Sequence, residues 1–378
     1  MNARTRWIAG SMMTMVSAGA YAQIPDLLNS FEMGGRSMGM GGSINSNITD
    51  VSASYWNPAG LGHISTSAVE VNFRNRPSNN TTLTGTFTNP DESTAPQYGR
   101  NQISFLGAAV PVGRGTIGIS YAVGGYAREL RHGEGLVVDP GENITANVDT
   151  LDAITDEFIT LAYGFKSGNA MALGLGLVFA RESILSASRI ELFQNGNPIP
   201  GPDPTDTKED ATGIGGIIGA QFASGPSSSF GISFRTPISL SGYDELSSYA
   251  DHIPGRLQGG FLFRKDGMRG GKDYLIAGID AAYFFETNRG KALQRDGHIS
   301  GGVGFEYNLS QRFGWIPIRL GVRATSKGGP GFKQRNVITF GLGYRPHGGN
   351  MWLDFAAATG SGQNRPDFAL SVGTKLGR

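Results

Sequence analysis

From residue 69 onward, apolar and polar residues alternate along the chain with a period of two. Val69, Val71 and Phe73 are separated by Glu70, Asn72 and Arg74. The alternation returns in Ile103 to Phe105, Ile117 to Val123, Ile159 to Phe165, Met171 to Phe179, Ile214 to Phe222, Phe230 to Phe234 and Leu257 to Phe263. It ends with Leu275 to Phe285, Ile299 to Leu309, Ile318 to Ala324, Ile338 to Tyr344, Met351 to Ala357 and Phe368 to Leu376. A period of two places alternate side chains on opposite faces of a strand. The pattern predicts about fourteen strands, most near the ~9–11 residues that cross a bilayer when tilted.

The connections alternate in length. Long polar loops are expected at Pro77–Arg100, Arg128–Ile154, Leu185–Asp210, Gly242–Ile253, Thr287–His298, Ser326–Asn336 and Gly360–Asp367. Between them lie short turns at Pro111–Gly115, Ser167–Ala170, Ser224–Ser228, Lys265–Asp273, Ser310–Trp315 and Pro346–Asn350. Long loops at one end and short turns at the other are the wiring of an outer-membrane barrel. Tyr163, Phe165, Tyr283, Phe285, Tyr307, Tyr344 and Trp352 fall near strand ends, where aromatic girdles meet the membrane interfaces. Asp280, Glu306, Arg319 and Arg323 share the polar phase; a dry soluble core would have to pair each, whereas a wet lumen hydrates them.

Composition sharpens this reading. The 378 residues include 58 glycines and no cysteine, with 17% charged residues and a net charge of +1. Without cysteine there is no disulfide scaffold or thiolate metal site. A near-zero charge without basic runs argues against nucleic acid. Many glycines, as in Gly174/Gly176, Gly213/Gly215/Gly216, Gly301/Gly302/Gly304 and Gly341/Gly343, fall within strand patterns. There glycine is unfavourable unless another backbone approaches closely, so an inner plug pressed against the wall is expected. At the start, Arg4 and Arg6, an apolar stretch from Trp7 to Ala18, and Ala20-Tyr21-Ala22 read as a secretory signal over 1–22.

Residues 23–63 do not alternate. Gly34 to Leu61 is rich in glycine and small residues and closes with Asn57-Pro58-Ala59-Gly60, a fixed turn. This run cannot bury much apolar surface of its own and needs an enclosing wall. It resembles the N-terminal hatch of outer-membrane barrels of the FadL (long-chain fatty-acid transporter) and PorV type. The resemblance rests on Gly34/Arg36, Met40-Gly41-Gly42, Asp50 and Tyr55-Trp-Asn-Pro-Ala-Gly-Leu61, about 28 residues in all. The Tyr-Trp pair leans toward the PorV branch, whereas Ile44 to Thr49 departs from the Ala-rich link usual before the Asp.

The resemblance implies an all-β transmembrane antiparallel barrel over 64–378, plugged by 23–63, in the outer membrane of a Gram-negative-type bacterium. Arg36, Gly39, Met40, Gly41, Asp50, Asn57, Pro58 and Ala59 become the candidate hatch and gating residues. Arg36 and Asp50 would anchor the plug, to each other or to luminal charges, and Asn57 would fix the turn. A lateral exit needs a break in the ladder, and Gly124-Gly125 in the third strand is the candidate, ahead of Pro237 in the seventh. Apolar pockets near Met33, Met38 and Met40 would receive a hydrophobic small molecule. The expected partners are outer-membrane lipids with such a substrate or, on the PorV side, secreted proteins and subunits of a type IX secretion machine.

No cofactor or metal is implied. Gly213-Ile-Gly215-Gly216-Ile lacks the third glycine of a dinucleotide fingerprint, and the five histidines have no ligand spacing. His298-Ile-Ser300 has the spacing of a base and nucleophile on one strand face, but Ile299, Val303 and Phe305 form the apolar face, so the pair points into the lumen. The chain reads as a non-enzyme.

Overall fold

The alternating segments form one closed sheet. The computed structural model describes residues 33–360, apart from 226 and 331, and residues 366–377. The expected signal peptide and the first residues of the expected hatch lie outside this range. The wall strands are β1 (Ala68–Gly85), β2 (Pro90–Val112), β3 (Gly115–Asp139), β4 (Ile144–Lys166), β5 (Met171–Gln194), β6 (Thr205–Ala223) and β7 (Ser228–Arg235). They continue with β8 (Arg256–Gly267), β9 (Asp273–Phe284), β10 (His298–Gln311), β11 (Gly314–Thr325), β12 (Arg335–Pro346), β13 (Met351–Gly360) and β14 (Asp367–Lys375). Each pairs antiparallel with its sequence neighbours, and β14 returns to β1 through the register Ala68↔Lys375 to Arg74↔Ala369. The result is a fourteen-stranded antiparallel barrel, as the alternation predicts.

Strand length departs from expectation. Pro77–Arg100, Arg128–Ile154 and Leu185–Asp210 are not loops: β1 to β6 run through most of them, so these strands reach 18 to 25 residues. Water lies beyond the apolar belt, so the outward face turns polar while the inner face mixes polar and apolar residues, and the apolar–polar alternation of the sequence fades. The upper ends carry an apolar patch of their own, formed by Leu83, Phe87, Leu136, Val148, Ile190 and Leu192.

The outward face is apolar. Ile214 is 66% exposed, Ile338 63% and Leu320 58%, with similar side chains around the belt. Exposure on this scale suits hydrocarbon rather than water. Aromatic pairs lie at strand ends, Tyr163 on Phe165 at 5.9 Å and Tyr283 edge-on to Phe285 at 5.3 Å. No helix among the described residues is long and apolar enough to cross a membrane.

The main apolar cluster lies inside the barrel. Met33, Met40, Ile44, Ile48, Val51, Tyr55, Trp56 and Leu61 pack there against Phe105, Ala122, Phe158, Val178 and Ile217 of the wall. The lumen at this level is filled. Asp280, Glu306 and Arg319 point inward, as their phase requires, but they are buried and bonded rather than hydrated.

Candidate gate between hatch and wall

The described hatch is a chain of short turns: α1 (Gly34–Gly39), a 3-10 turn at Asn45–Asn47, α2 (Ala53–Trp56) and a second 3-10 turn at Pro58–His63. Asn57 governs the last of these. Its extended backbone breaks α2, Pro58 follows with its fixed φ, and the Asn57 side-chain oxygen accepts the Ala59 N–H at 3.2 Å. The Asn57 amide donates to the Ser46 carbonyl at 2.7 Å and reaches the carbonyls of Ala220 at 3.2 Å and Ile232 at 3.3 Å. Ala220 and Ile232 face each other across β6 and β7, so one side chain ties two hatch segments to two wall strands.

A charged ladder holds the other side. Arg36 Nε donates to Glu306 Oε2 at 2.9 Å and its Nη2 to Oε1 at 3.2 Å. Glu306 also accepts Arg319 Nε at 2.6 Å; Arg319 pairs with Asp354 at 2.7 Å, and Asp354 with Arg345 at 3.2 Å. Burial works against the Arg36 charge, but its contacts with Glu306 hold the pKa above the usual guanidinium value. Nearby, Asp280 accepts the Ser46 N–H at 2.8 Å.

Among the described residues Asp50 is bonded within the hatch rather than to the wall, although its charge attracts Arg36. Its carboxylate accepts the N–H of Ser52 at 3.0 Å and the Ser52 hydroxyl at 2.6 Å, a local turn that starts α2. A short carboxylate two residues before a backbone donor satisfies that donor first. Asp50 and Arg36 line the same cavity of about 360 Å³ at the short-turn end, with His63, Trp315, Arg345 and Trp352.

The methionines lie deep in the plug. Met33, Met38 and Met40 are fully buried, and Met38 packs on Ala356, Ala358 and Ala369. Met33 and Met40 join the main cluster inside the barrel.

Wall glycines admit the hatch backbone. A β-carbon on Gly302 would strike the Gly41 carbonyl, one on Gly304 the Met40 carbonyl, and one on Gly174 the Pro58–Ala59 peptide. One on Gly341 would stand 3.1 Å from the Gly39 α-carbon, and the Gly39 carbonyl accepts the Thr339 hydroxyl at 3.1 Å. Gly213, Gly215 and Gly343 instead face other wall or loop groups.

The ladder breaks at the third strand. β2 and β3 pair from Val112↔Gly115 to Phe105↔Ala122 and no further. Just beyond, the β3–β4 register skips Gly124, between Val123↔Glu157 and Gly125↔Asp156. Higher still, Asn79–Leu83 of β1 run parallel to Glu129–Gly133 of β3. Between these levels β2 leaves the side of β3, and Gly124 is a bulge whose inner surface meets Tyr55 of the hatch and Phe158. Gly125 remains in register. Pro237 lies just past the end of β7, packed against Gly255.

Several contacts were not anticipated from the sequence. Arg235 and Arg256, opposite each other in β7 and β8, bracket the hatch aromatics. The Arg256 guanidinium lies 4.5 Å from the Trp56 ring centre and donates to the Tyr55 carbonyl at 3.4 Å; that of Arg235 lies 4.6 Å from the Phe158 ring. Their signal was an arginine in the inward phase at the end of each strand. His298 and Ser300 do face inward but do not bond each other: His298 bonds the Asp296 carbonyl, and Ser300 bonds Arg323 and Thr325.

Among solved structures the chain is similar to a Pseudomonas aeruginosa FadL homologue, with a TM-score of 0.60 at 16% identity over 93% of this chain and 100% of that one. The P. putida toluene transporter TodX gives 0.63 at 12% identity over 93% and 100%, and the Ralstonia pickettii toluene transporter TbuX gives 0.58 at 14% over 93% and 99%. This chain has the fold of the FadL-type channels. No protein-family model matches the sequence, and no curated protein does. The expected leaning toward the PorV branch gains no support from these FadL-type neighbours.

Proposed function

We propose that this barrel resides in the outer membrane and passes small hydrophobic molecules across it passively, with the hatch as the gate and the gap beside Gly124 as a lateral exit. The observation that carries this reading is the meeting of Tyr55 with the Gly124 bulge where β2 and β3 have parted. A plug residue seated against a wall gap covers it while in place and uncovers it on leaving, and a hydrophobic solute passing there enters hydrocarbon without crossing water. The similar structures are described as toluene transporters and a monoaromatic hydrocarbon channel, which favours an apolar substrate of that size. Arg36, Gly39, Met40, Gly41, Asn57, Pro58 and Ala59 hold the hatch in this reading, and Asp50 shapes its turn. Transport is preferred to a type IX secretion role, to which the similar folds lend nothing.

The test is uptake of labelled toluene and of a labelled long-chain fatty acid by cells lacking their own channel. Expression of this chain is expected to raise uptake of at least one, and Gly124→Val with Gly125→Val to return it toward background. Uptake unaffected by the double substitution contradicts the lateral exit; no uptake at all contradicts the transport reading.

A further inference from the structure

The segment between β7 and β8 carries a two-strand ribbon, Ile238–Ser239 against His252–Ile253. Ile238 and Ile253 belong to the buried cluster inside the barrel, and alternation turns Ser239 and His252 to the opposite face. The Leu240 N–H donates to the Asp251 carbonyl at 2.7 Å, which leaves Ser239 and His252 as the non-hydrogen-bonded pair, the closer of the two antiparallel geometries. Their side chains meet: Ser239 Oγ lies 3.0 Å from His252 Nε2. On the far side of the ring, Nδ1 lies 2.6 Å from Asp251 Oδ1. A carboxylate at Nδ1 fixes the tautomer that leaves Nε2 free to accept from the serine.

Two further features complete the arrangement. The second oxygen of Asp251 accepts from Lys291 Nζ at 3.2 Å, while the N–H groups of Asp251 and His252 both donate to the Asn288 side-chain oxygen at 2.9 Å. Burial alone would raise the pKa of Asp251, but the bonds from His252 and Lys291 hold it below the usual carboxylate range. Ser239 also lines a cavity of about 790 Å³ on the outer surface of β4 to β6. Ile159, Phe179 and Ile214 form its apolar floor, with Glu157 and Arg181 at its upper edge where the belt gives way to charge. An acyl chain fits the floor, and its ester group would then stand at the level of the ribbon.

We propose that Ser239, His252 and Asp251 form a hydrolytic site for acyl esters of lipids at the outer edge of the membrane, an activity separate from transport. Ser239 Oγ attacks the ester carbonyl carbon as His252 Nε2 takes its proton. The tetrahedral alkoxide collapses, the C–O bond to the alcohol breaks, and His252 returns the proton to the leaving oxygen. Water, deprotonated by His252, then cleaves the acyl-serine to a free acid and restores Ser239. Asp251 is a positioning residue.

The test uses the full-length protein in detergent micelles, its folding checked by heat-modifiable migration in gels. A fluorophosphonate probe is expected to label Ser239, identified by peptide mass spectrometry, and p-nitrophenyl laurate to be turned over. Ser239→Ala and His252→Gln are expected to lower turnover by about 1000-fold, and Ser300→Ala to leave it unchanged. Asp251→Asn should lower kcat about 10-fold or more at constant KM, with partial recovery in Asp251→Glu. An unlabelled Ser239 in folded protein, absent turnover, or turnover that survives Ser239→Ala overturns the proposal, and none of these outcomes bears on hydrocarbon uptake.

Discussion

A β-carbon built on Gly124 would stand 2.6 Å from the hydroxyl of Tyr55, so a hatch side chain occupies the space that any larger residue at this wall bulge would need. Gly124→Ala is therefore expected to destabilise the barrel by about 1–3 kcal/mol. Tyr55→Phe removes one of the two obstacles, the nearer being the Phe158 ring, and should recover part of that loss in the double variant. Guanidinium unfolding of the four proteins in lipid vesicles measures the coupling; strictly additive effects would contradict the contact.

Among the described residues Glu306 pairs with two cations, Arg36 and Arg319, whereas Arg36 pairs with Glu306. Removing Glu306 leaves Arg36 and Arg319 facing each other in a buried site, and Glu306→Ala should destabilise by about 3–5 kcal/mol. Arg36→Ala leaves Glu306 paired with Arg319 and should have a smaller effect. The unfolding midpoints of the two variants decide the order, and a larger loss in Arg36→Ala contradicts it.

Asn57 separates hydrogen bonding from turn shape. Asn57→Asp keeps the acceptor for the Ala59 N–H but loses the donors to Ser46, Ala220 and Ile232. If the hatch is held to the wall through these carbonyls, the aspartate variant should loosen it and admit large antibiotics. Sensitivity of cells to vancomycin reads this directly, and resistance equal to that of the unaltered protein speaks against it.

Gly304→Val tests the close approach on the opposite side of the lumen. The new side chain would meet the Met40 carbonyl and push that part of the hatch inward. Cysteine introduced at Ser43 is expected to react with a maleimide faster in this background; equal rates would show that the hatch does not depend on the glycine.

The barrel was legible because lipid on one face and hatch on the other impose a strict period of two, as in Ile299 to Leu309. The upper halves of β3 to β5 were not, since around Arg131 to Val137 and Thr145 to Asp149 no lipid makes the outward face apolar, and the buried face mixes Arg131 and Thr150 with Leu136 and Val148. In the hatch, Asn57 could be read from its proline because cap chemistry is local. Asp50 could not be placed, since its choice between Ser52 and a distant cation depends on where the wall stands. Glu306 and Arg319 were visible as inward charges, but their pairing with each other and with Asp354 follows strand registers that single-strand patterns do not contain. The Ser239–His252 pair depends on a ribbon too short to alternate.

The most direct test of the hatch as a gate joins it to the strand that carries the gap. Ser54 of α2 donates to Ser120 of β3 through hydroxyls 2.8 Å apart, and the chain has no cysteine of its own. Cells carrying Ser54→Cys with Ser120→Cys should lose uptake of the transported hydrocarbon on oxidation and regain it on reduction, while each single variant stays active. Full uptake with the disulfide quantitatively formed would contradict a gate that moves away from β3.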